Sequence, residues 1–549
     1  MKLLRRVRLM YPQSIKGSIT VFMSMMLMLV AALLFTLLEG SRYLMLGMEA
    51  VLNSQSVTES MFAEYNVPAY DNYHLLMMDS GYGTGELKLS EVQARMQELG
   101  QENLNPTVRG FGRHNNFLQM DVAQSSVVRY RLATDQHASA LLEQMTQVMK
   151  RELVTDLADQ AVKQLTGVQE SSEQGKKADD YLNGALDTIE QAKESEQQEP
   201  GTSGGVKQMK NSLRRNSHRN DIEASGDGDL LQADTSDEIQ DGWAGEEVEN
   251  PMEDIKSAKS SPLLSQVLTD GNGISAKQLS KEDAVEKRVL NTGNYEEAGV
   301  NGIVDKLFVV QYLKKYTSNY LYKTSVPHAL DYEQEYILFG KSSDEENLKK
   351  MAARLLLIRE GINFAYLMTD SAKREEALAV ATAIAAATGI PAAAKAIQMG
   401  ILASWAYAES IAELRTLFSG GRIAAVKSSG DWNISLSEIA AVPFQSSMKA
   451  REVKSGLDYK DYLFGFLAVE SLEKTGDRFA NLLEKNIRLS AGYGQVKLDC
   501  MITAMETNHV YQAKQVFLTF VAIGRLSKKG YQYEETYPFS YVGKQDDAD

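Results

Sequence analysis

Residues 18–38 carry no charged side chain, and this run of 21 constrains everything that follows it. At roughly 1.5 Å rise per residue, a helix of that length covers about 31 Å, the depth of a bilayer's hydrocarbon core. Ser18, Val21, Phe22, Leu27, Leu29, Leu33 and Leu38 mark the segment, which predicts a transmembrane helix. Before it stand Lys2, Arg5, Arg6, Arg8 and Lys16 with no acid among them. Positive residues tend to stay inside, so the expected topology is single-pass in the cell membrane, with a cytoplasmic N-terminus and an extracytoplasmic C-terminal region. A cleaved secretory signal would have an apolar core of about 7–15 residues and a small-x-small site behind it. Here the run is longer and continues into Leu37-Leu38-Glu39-Gly40-Ser41-Arg42, so an uncleaved signal anchor is expected. Glu39 and Arg42 are spaced to pair on one helix face at the headgroup boundary. Apolar positions recur through Leu44, Leu46, Met48, Val51 and Leu52 toward Phe62, which makes anchor and stalk one helix, ended by Pro68.

The remaining chain is acidic. Five of the 58 basic residues lie before the span, leaving 53 against 73 acidic ones, a balance of −20. Nucleic acid is therefore not an expected partner, because phosphate binding needs a basic face. With Cys500 as the single cysteine, no internal disulfide can form. Hydrophobic residues make up 44% of the chain, enough for a folded core.

Along the chain, residues 73–78 read as a short strand closed by a turn at Asp79-Ser80-Gly81-Tyr82-Gly83. Residues 127–132 alternate like a half-buried strand. Thr134 or Asp135 then caps a helix carrying Leu141, Leu142, Met145, Val148, Met149 and Leu153, and helical spacing returns at Leu182, Ala185, Leu186 and Ile189. Residues 195–250 lose that pattern. Rich in Glu, Gln, Ser, Gly and Asp, they predict a disordered acidic insertion, with Asp227 and Asp229 as solvated linker acids rather than Ca²⁺ ligands. Beyond it, residues 330–340 read as a strand. Ser343-Asp344-Glu345-Glu346 is a capping box, and residues 377–394 predict two close-packed helices meeting at Pro391, the second running to Leu414. Residues 422–427 read as a strand and 459–489 as one helix. Alternation from Val496 to Ala504, and the runs 515–523 and 531–537, predict a strand-rich ending. The expected fold is α+β and helix-rich. Its parts are a basic tail (1–17), the span (18–38), a first extracytoplasmic part (39–194), the insertion (195–250), a helix-rich second part (251–430) and an α+β C-terminal part (431–549).

Chemistry-bearing patterns are sparse. There is no Gly-x-x-x-x-Gly-Lys-Ser/Thr loop, no Gly-x-Ser-x-Gly elbow and no His-Glu-x-x-His helix. His74, His114, His137, His218, His328 and His509 lack metal-ligand spacing, and Cys500 reads as a small buried hydrophobe. Gly81, Gly83 and Gly85 read as a turn rather than a phosphate loop, since neither a helix start nor a Lys follows. Asp331, Glu333 and Glu335 stand at period two on the expected strand. They could hold a hard cation such as Ca²⁺ or act as paired carboxylates, but a solvated strand face accounts for them with less. Arg359 and Asn363, one helical turn apart, are expected to make helix-to-strand hydrogen bonds, with those acids as candidate partners and substrate binding as the lesser reading. No cofactor is implied.

The opening Lys16-Gly17-Ser18-Ile19-Thr20-Val21-Phe22, the apolar span, and then Glu39 and Arg42 resemble the TadE/TadG-type pseudopilins of the tight-adherence (Tad) pilus. The opening resembles even more a family of uncharacterised bacterial membrane-anchored proteins. The second half is similar to that same family in Leu330-Asp331-Tyr332-Glu333-x-Glu335-Tyr336-Ile337, in Arg359-x-x-x-Asn363, in Trp405-Ala406-x-Ala408-Glu409-Ser410 and in Trp432. Such pseudopilins are cut after a Gly preceding the apolar segment, with a Glu five residues beyond the cut. Gly17 and Ser18 are the candidate processing site, but the fifth position is Phe22. The resemblance therefore implies a TadG-like anchored accessory protein rather than a fibre subunit. The expected function is a non-catalytic structural or accessory component of a Tad-like pilus or related secretion system, with the lipid bilayer as its first partner. A surface binding or sensing module, and an anchored wall or glycan hydrolase, are the alternatives.

Overall fold

The computed structural model describes residues 16–105, 118–152, 176–178, 180–188, 190, 250–517 (except 269–272, 281–283, 296–298, 301 and 325) and 530–542. Helix α1 (Lys16–Ala63) is one unbroken helix of 48 residues. Its most apolar stretch has no residue buried against the rest of the protein. From Glu39 onward the same helix buries a stripe: Arg42, Leu46, Ala50, Asn53, Ser54, Val57, Thr58, Met61 and Phe62. Spacings of three and four residues put these on one face, as a helix lying on a core requires. Pro68 does not end α1. It stands in the first turn of α2 (Val67–Tyr73), where a missing N–H breaks no bond, and Asn66 caps that turn by accepting from the Ala69 N–H at 3.0 Å.

The stripe of α1 rests on a four-stranded antiparallel sheet: β1 (Met78–Asp79), β2 (Met120–Leu132), β3 (Met501–Ala513) and β4 (Tyr531–Ser540). Strand β3 is central. It pairs with β2 along one edge, while β1 and then β4 share the other. Chain segments nearly 400 residues apart are therefore hydrogen-bonded directly, with Leu132 opposite Ile502 and Met120 opposite Ala513. Helix α3 (Leu89–Leu104) packs beside α1, and Val57, Met61, Val92, Met96, Ile502 and Met505 close this small core. Of the expected strand at 73–78 only Met78 is realised, because Tyr73 completes α2. The strand expected at 127–132 is the second half of β2.

The helical body follows: α4 (Asp135–Glu152), α5 (Pro251–Ser260), α6 (Leu263–Val267), α7 (Ile303–Tyr316), α8 (Glu333–Phe339), α9 (Asp344–Thr369), α10 (Ser371–Ala387), α11 (Ala394–Phe418), α12 (Tyr459–Val469) and α13 (Leu472–Arg488). Residues 176–178 and 180–188 are also helical; Leu153, Ile189 and the insertion at 195–249 lie outside the described residues. Helix α11 is the axis of the body, with every residue from Gly400 to Phe418 buried. Ser343 caps α9 by accepting from the Glu346 N–H at 3.2 Å, one half of the expected capping box, while the Glu346 carboxylate accepts from Ser342 Oγ (3.4 Å).

Further segments depart from the sequence reading, and the strand expected from Val496 opens only at Met501, after a 3-10 turn at Leu498–Cys500. Residues 330–340 hold α8, a short helix, rather than a strand; Gly340 ends it in the left-handed conformation (φ 63°), donating its N–H to Tyr336 O. Residues 422–427 contribute a single bridge, Ile423 to Leu457, with no partner strand to extend it. The helix expected over 459–489 is two helices, α12 and α13, broken at Glu470 and restarted by the Ser471 cap. Of the run 515–523, residues 515–517 are non-strand and the rest lies outside the described residues. The whole is a helix-rich α+β protein built on one long N-terminal helix.

Candidate functional site

The feature that sets this molecule apart is the passage of α1 from an uncovered apolar rod to a buried stalk. Glu39 and Arg42 pair at 2.9 Å where that change occurs. The pair is buried rather than open to headgroups. Glu39 accepts from the Phe517 N–H (2.7 Å) and the Val516 N–H (3.2 Å), while Arg42 donates to Leu118 O. Burial alone would raise the Glu39 carboxyl's pKa, but the two backbone donors and Arg42 hold it below its ordinary value. Phe517 stacks on Phe35, ring centroids 6.3 Å apart, so the chain leaving β3 reaches back over the end of the apolar run. Next on α1, Tyr43 meets Tyr531 and Tyr533, and the Tyr533 hydroxyl donates to Tyr43 O at 2.9 Å. Further along, Ser54 bonds Tyr511, and Thr58 bonds Thr507. These contacts clamp the stalk to the sheet along its length.

Val21, Phe22, Leu27, Leu29, Leu33 and Leu38 are all exposed on the uncovered part of α1, and Gly17 and Ser18 lie in its first turn.

The acids at 331–335 do not form a site. Because the segment is helical, period two scatters them instead of aligning them. Asp331 faces out and pairs with Lys277 at 2.6 Å. Glu333 is fully buried, accepting from Ser318 N–H (2.8 Å), Ser318 Oγ (3.0 Å) and Asn486 Nδ2 (2.7 Å), with His328 Nδ1 2.6 Å away. Glu335 is also fully buried, on a different side, accepting from the Tyr459 hydroxyl (2.5 Å) and the Tyr320 N–H (3.0 Å). Burial pushes its pKa up to about 7 against those two donors, and its Oε2 has no hydrogen-bond partner. A solvated face is thus replaced by two core carboxylates and one surface pair. Among the described residues, no three His, Cys, Asp or Glu side chains stand where one metal ion could be held.

Arg359 and Asn363 also have other partners than expected. Arg359 makes a two-pronged bond to Glu413 (2.7 and 2.8 Å), and Asn363 donates to the same carboxylate at 2.8 Å. Lys427 bridges Glu413 (2.7 Å) and Glu409 (2.6 Å), and Asn433 and Ile434 N–H groups complete Glu409. Glu409 and Glu413 lie one turn apart in a largely apolar stretch of α11, a sequence signal of buried charge whose partners the sequence does not name.

The remaining candidates are structural. Asp79 accepts from the Gly81 and Gly83 N–H groups, so the glycine loop satisfies its own turn. Cys500 is buried in the turn before β3, and burial pushes its thiol up to about 11. His509, held between Ser125 and Thr507, is pushed down to about 4 by burial. His137 pairs with Asp477, His74 is exposed, and His114 and His218 lie outside the described residues. No curated protein and no solved structure matches the chain. Residues 241–513 match a family of unknown function, DUF5702.

Proposed function

We propose that this protein is a membrane-anchored, extracytoplasmic structural or accessory component of a cell-surface assembly. The N-terminal resemblance points to a Tad-like pilus or a related secretion system. One observation carries the reading. A single helix is uncovered where it is apolar and clamped where it is amphipathic, with the change completed between Leu38 and Arg42. Exposing some twenty consecutive uncharged, mostly apolar residues to water is strongly unfavourable, and a bilayer removes that exposure. The basic residues before the span orient the body outward. The clamp makes stalk and body one unit, so a force or contact on the body is transmitted to the span. A hydrolase working through Asp331, Glu333 and Glu335 is disfavoured, because these acids face different surroundings and two of them are consumed in packing.

The assembly is tested by cross-linking intact cells and purifying the full chain in detergent. Recovery of a prepilin peptidase or a pilus assembly ATPase supports the accessory role. Their absence from material of a strain that builds such a pilus contradicts it.

A further inference from the structure

The stalk half of α1 has two faces. Leu46, Ala50, Asn53 and Val57 are buried against the body, whereas Leu44, Met48 and Val51, on the opposite side, are exposed, Leu44 at 73% and Met48 at 67%. Met45 and Leu52 flank that stripe and are exposed as well. Between Arg42 and Glu59 the only charged residue is Glu49. The water-facing side of a stalk helix ordinarily carries charged and polar residues, and this one is apolar instead.

The stripe also keeps a seven-residue period. Leu37, Ser41, Leu44, Met48, Val51 and Gln55 follow one another at alternating steps of four and three. The same steps run back through Leu34, Val30 and Leu27 into the span, where all three are exposed. That spacing is the seam of a left-handed pair of helices. The seam stops near Gln55 because the sheet then takes over that side of α1, with Phe62 packed on Phe539 and Tyr541. Lipid does not account for the whole stripe. Over residues 18–52 the helix rises roughly 50 Å, against about 30 Å of hydrocarbon.

We infer that this stripe is the contact with a second copy of the same chain, the two α1 helices running parallel and in register. The inference rests on the anchored reading, because a shared membrane gives every copy the same direction and depth. Leu44 then meets Leu44 and Met48 meets Met48. An uncharged stripe permits that self-pairing, where two faces of an acidic body repel. Over residues 27–55 the seam is roughly 42 Å long. Its stalk part alone makes a contact at the weak end of interface sizes, under about 1,200 Å². The span part lengthens the seam, and confinement to one membrane raises the effective concentration of the copies.

The test is disulfide cross-linking of the full chain in washed native membranes. M48C and L44C probe the seam, and S56C, exposed but about a quarter turn away, is the control. Cys500 is buried and stays in place, so the parent chain reports its background. Mild oxidation should shift M48C and L44C to twice the chain mass and leave S56C and the parent at the chain mass. Adding L44E to M48C should abolish the shift, since two carboxylates would then face each other across the seam. The amount of chain in the membrane fraction reads the anchor separately, so a failure of anchoring and a failure of pairing are told apart. The inference is overturned if M48C and L44C stay at the chain mass, if S56C shifts as much as they do, or if they cross-link to a different protein.

Discussion

Buried charge is the recurring theme at the scale of single residues, and each instance has a different resolution. Glu413 is ionised because Arg359, Lys427 and Asn363 converge on it, which outweighs its burial and keeps its pKa low. Substituting E413Q leaves Arg359 without its counter-charge, while Lys427 keeps Glu409, so a loss on the order of 3–5 kcal/mol is expected, read as a lower unfolding midpoint by circular dichroism. Glu335 is the opposite case, with its pKa raised from near 4.5 to about 7 because the fold prefers it protonated. Its contribution is fully present below pH 4.5 and is lost as pH rises through 7. E335Q should therefore flatten the stability curve across that window by on the order of 3 kcal/mol, measured by denaturant titration at pH 5 and pH 8. An unchanged pH dependence would show that Glu335 is not the titrating group. In the sequence, Glu413 stands among apolar neighbours, which announces burial, whereas Glu335 follows Glu333 and Gln334 and reads as part of a solvated face. Arg359 lies 54 residues from Glu413 and Tyr459 lies 124 residues from Glu335, and only the fold brings these partners together.

Among the secondary-structure elements, those with a clear period were legible and those buried on all sides were not. Tyr531, Tyr533, Tyr537 and Phe539 alternate with exposed residues, and β4 is a strand whose aromatic face lies on α1. The paired helices around Pro391 and the Ser343 cap follow from alanine content, proline position and capping chemistry. Residues 333–338, by contrast, are buried without exception, so no period distinguishes a helix from a strand. The break between α12 and α13 was hidden for a related reason, since apolar spacing continues across Glu470 and Ser471. Helix α13 packs so closely on the turn into α4 that a Cβ at Gly476 would lie 2.0 Å from His137 O. Since backbone must move, G476A should destabilise by about 1–3 kcal/mol, seen as a lower thermal midpoint. A neutral result would mean the two helices can separate at little cost.

For the molecule as a whole, the long helix organises everything else. Its apolar first part was readable from residues 18–38 alone, and its continuation toward Phe62 from the apolar spacing, but not which face is clamped, since Leu44, Met48, Val51 and Leu52 are exposed. What the sequence did not disclose is that the sheet holding the stalk joins β1 and β2, near the start, to β3 and β4, near the end. The burial of Glu39 and Arg42 under residues 118 and 516–517 was hidden for the same reason. Placing a charge in the middle of the apolar run, as in L29R, costs about 2.5–3.5 kcal/mol at the centre of a span. This variant should move the protein from the membrane to the soluble or degraded fraction, as fractionation and immunoblotting would report. The central claim, a retained anchor, is tested most directly by the intact mass and N-terminal sequence of the full chain extracted from native membranes. An N-terminus at or near Met1 is the predicted result. A start at Ser18 would mean processing before the span and a place in an assembled fibre, and a start beyond Leu38 would contradict the account.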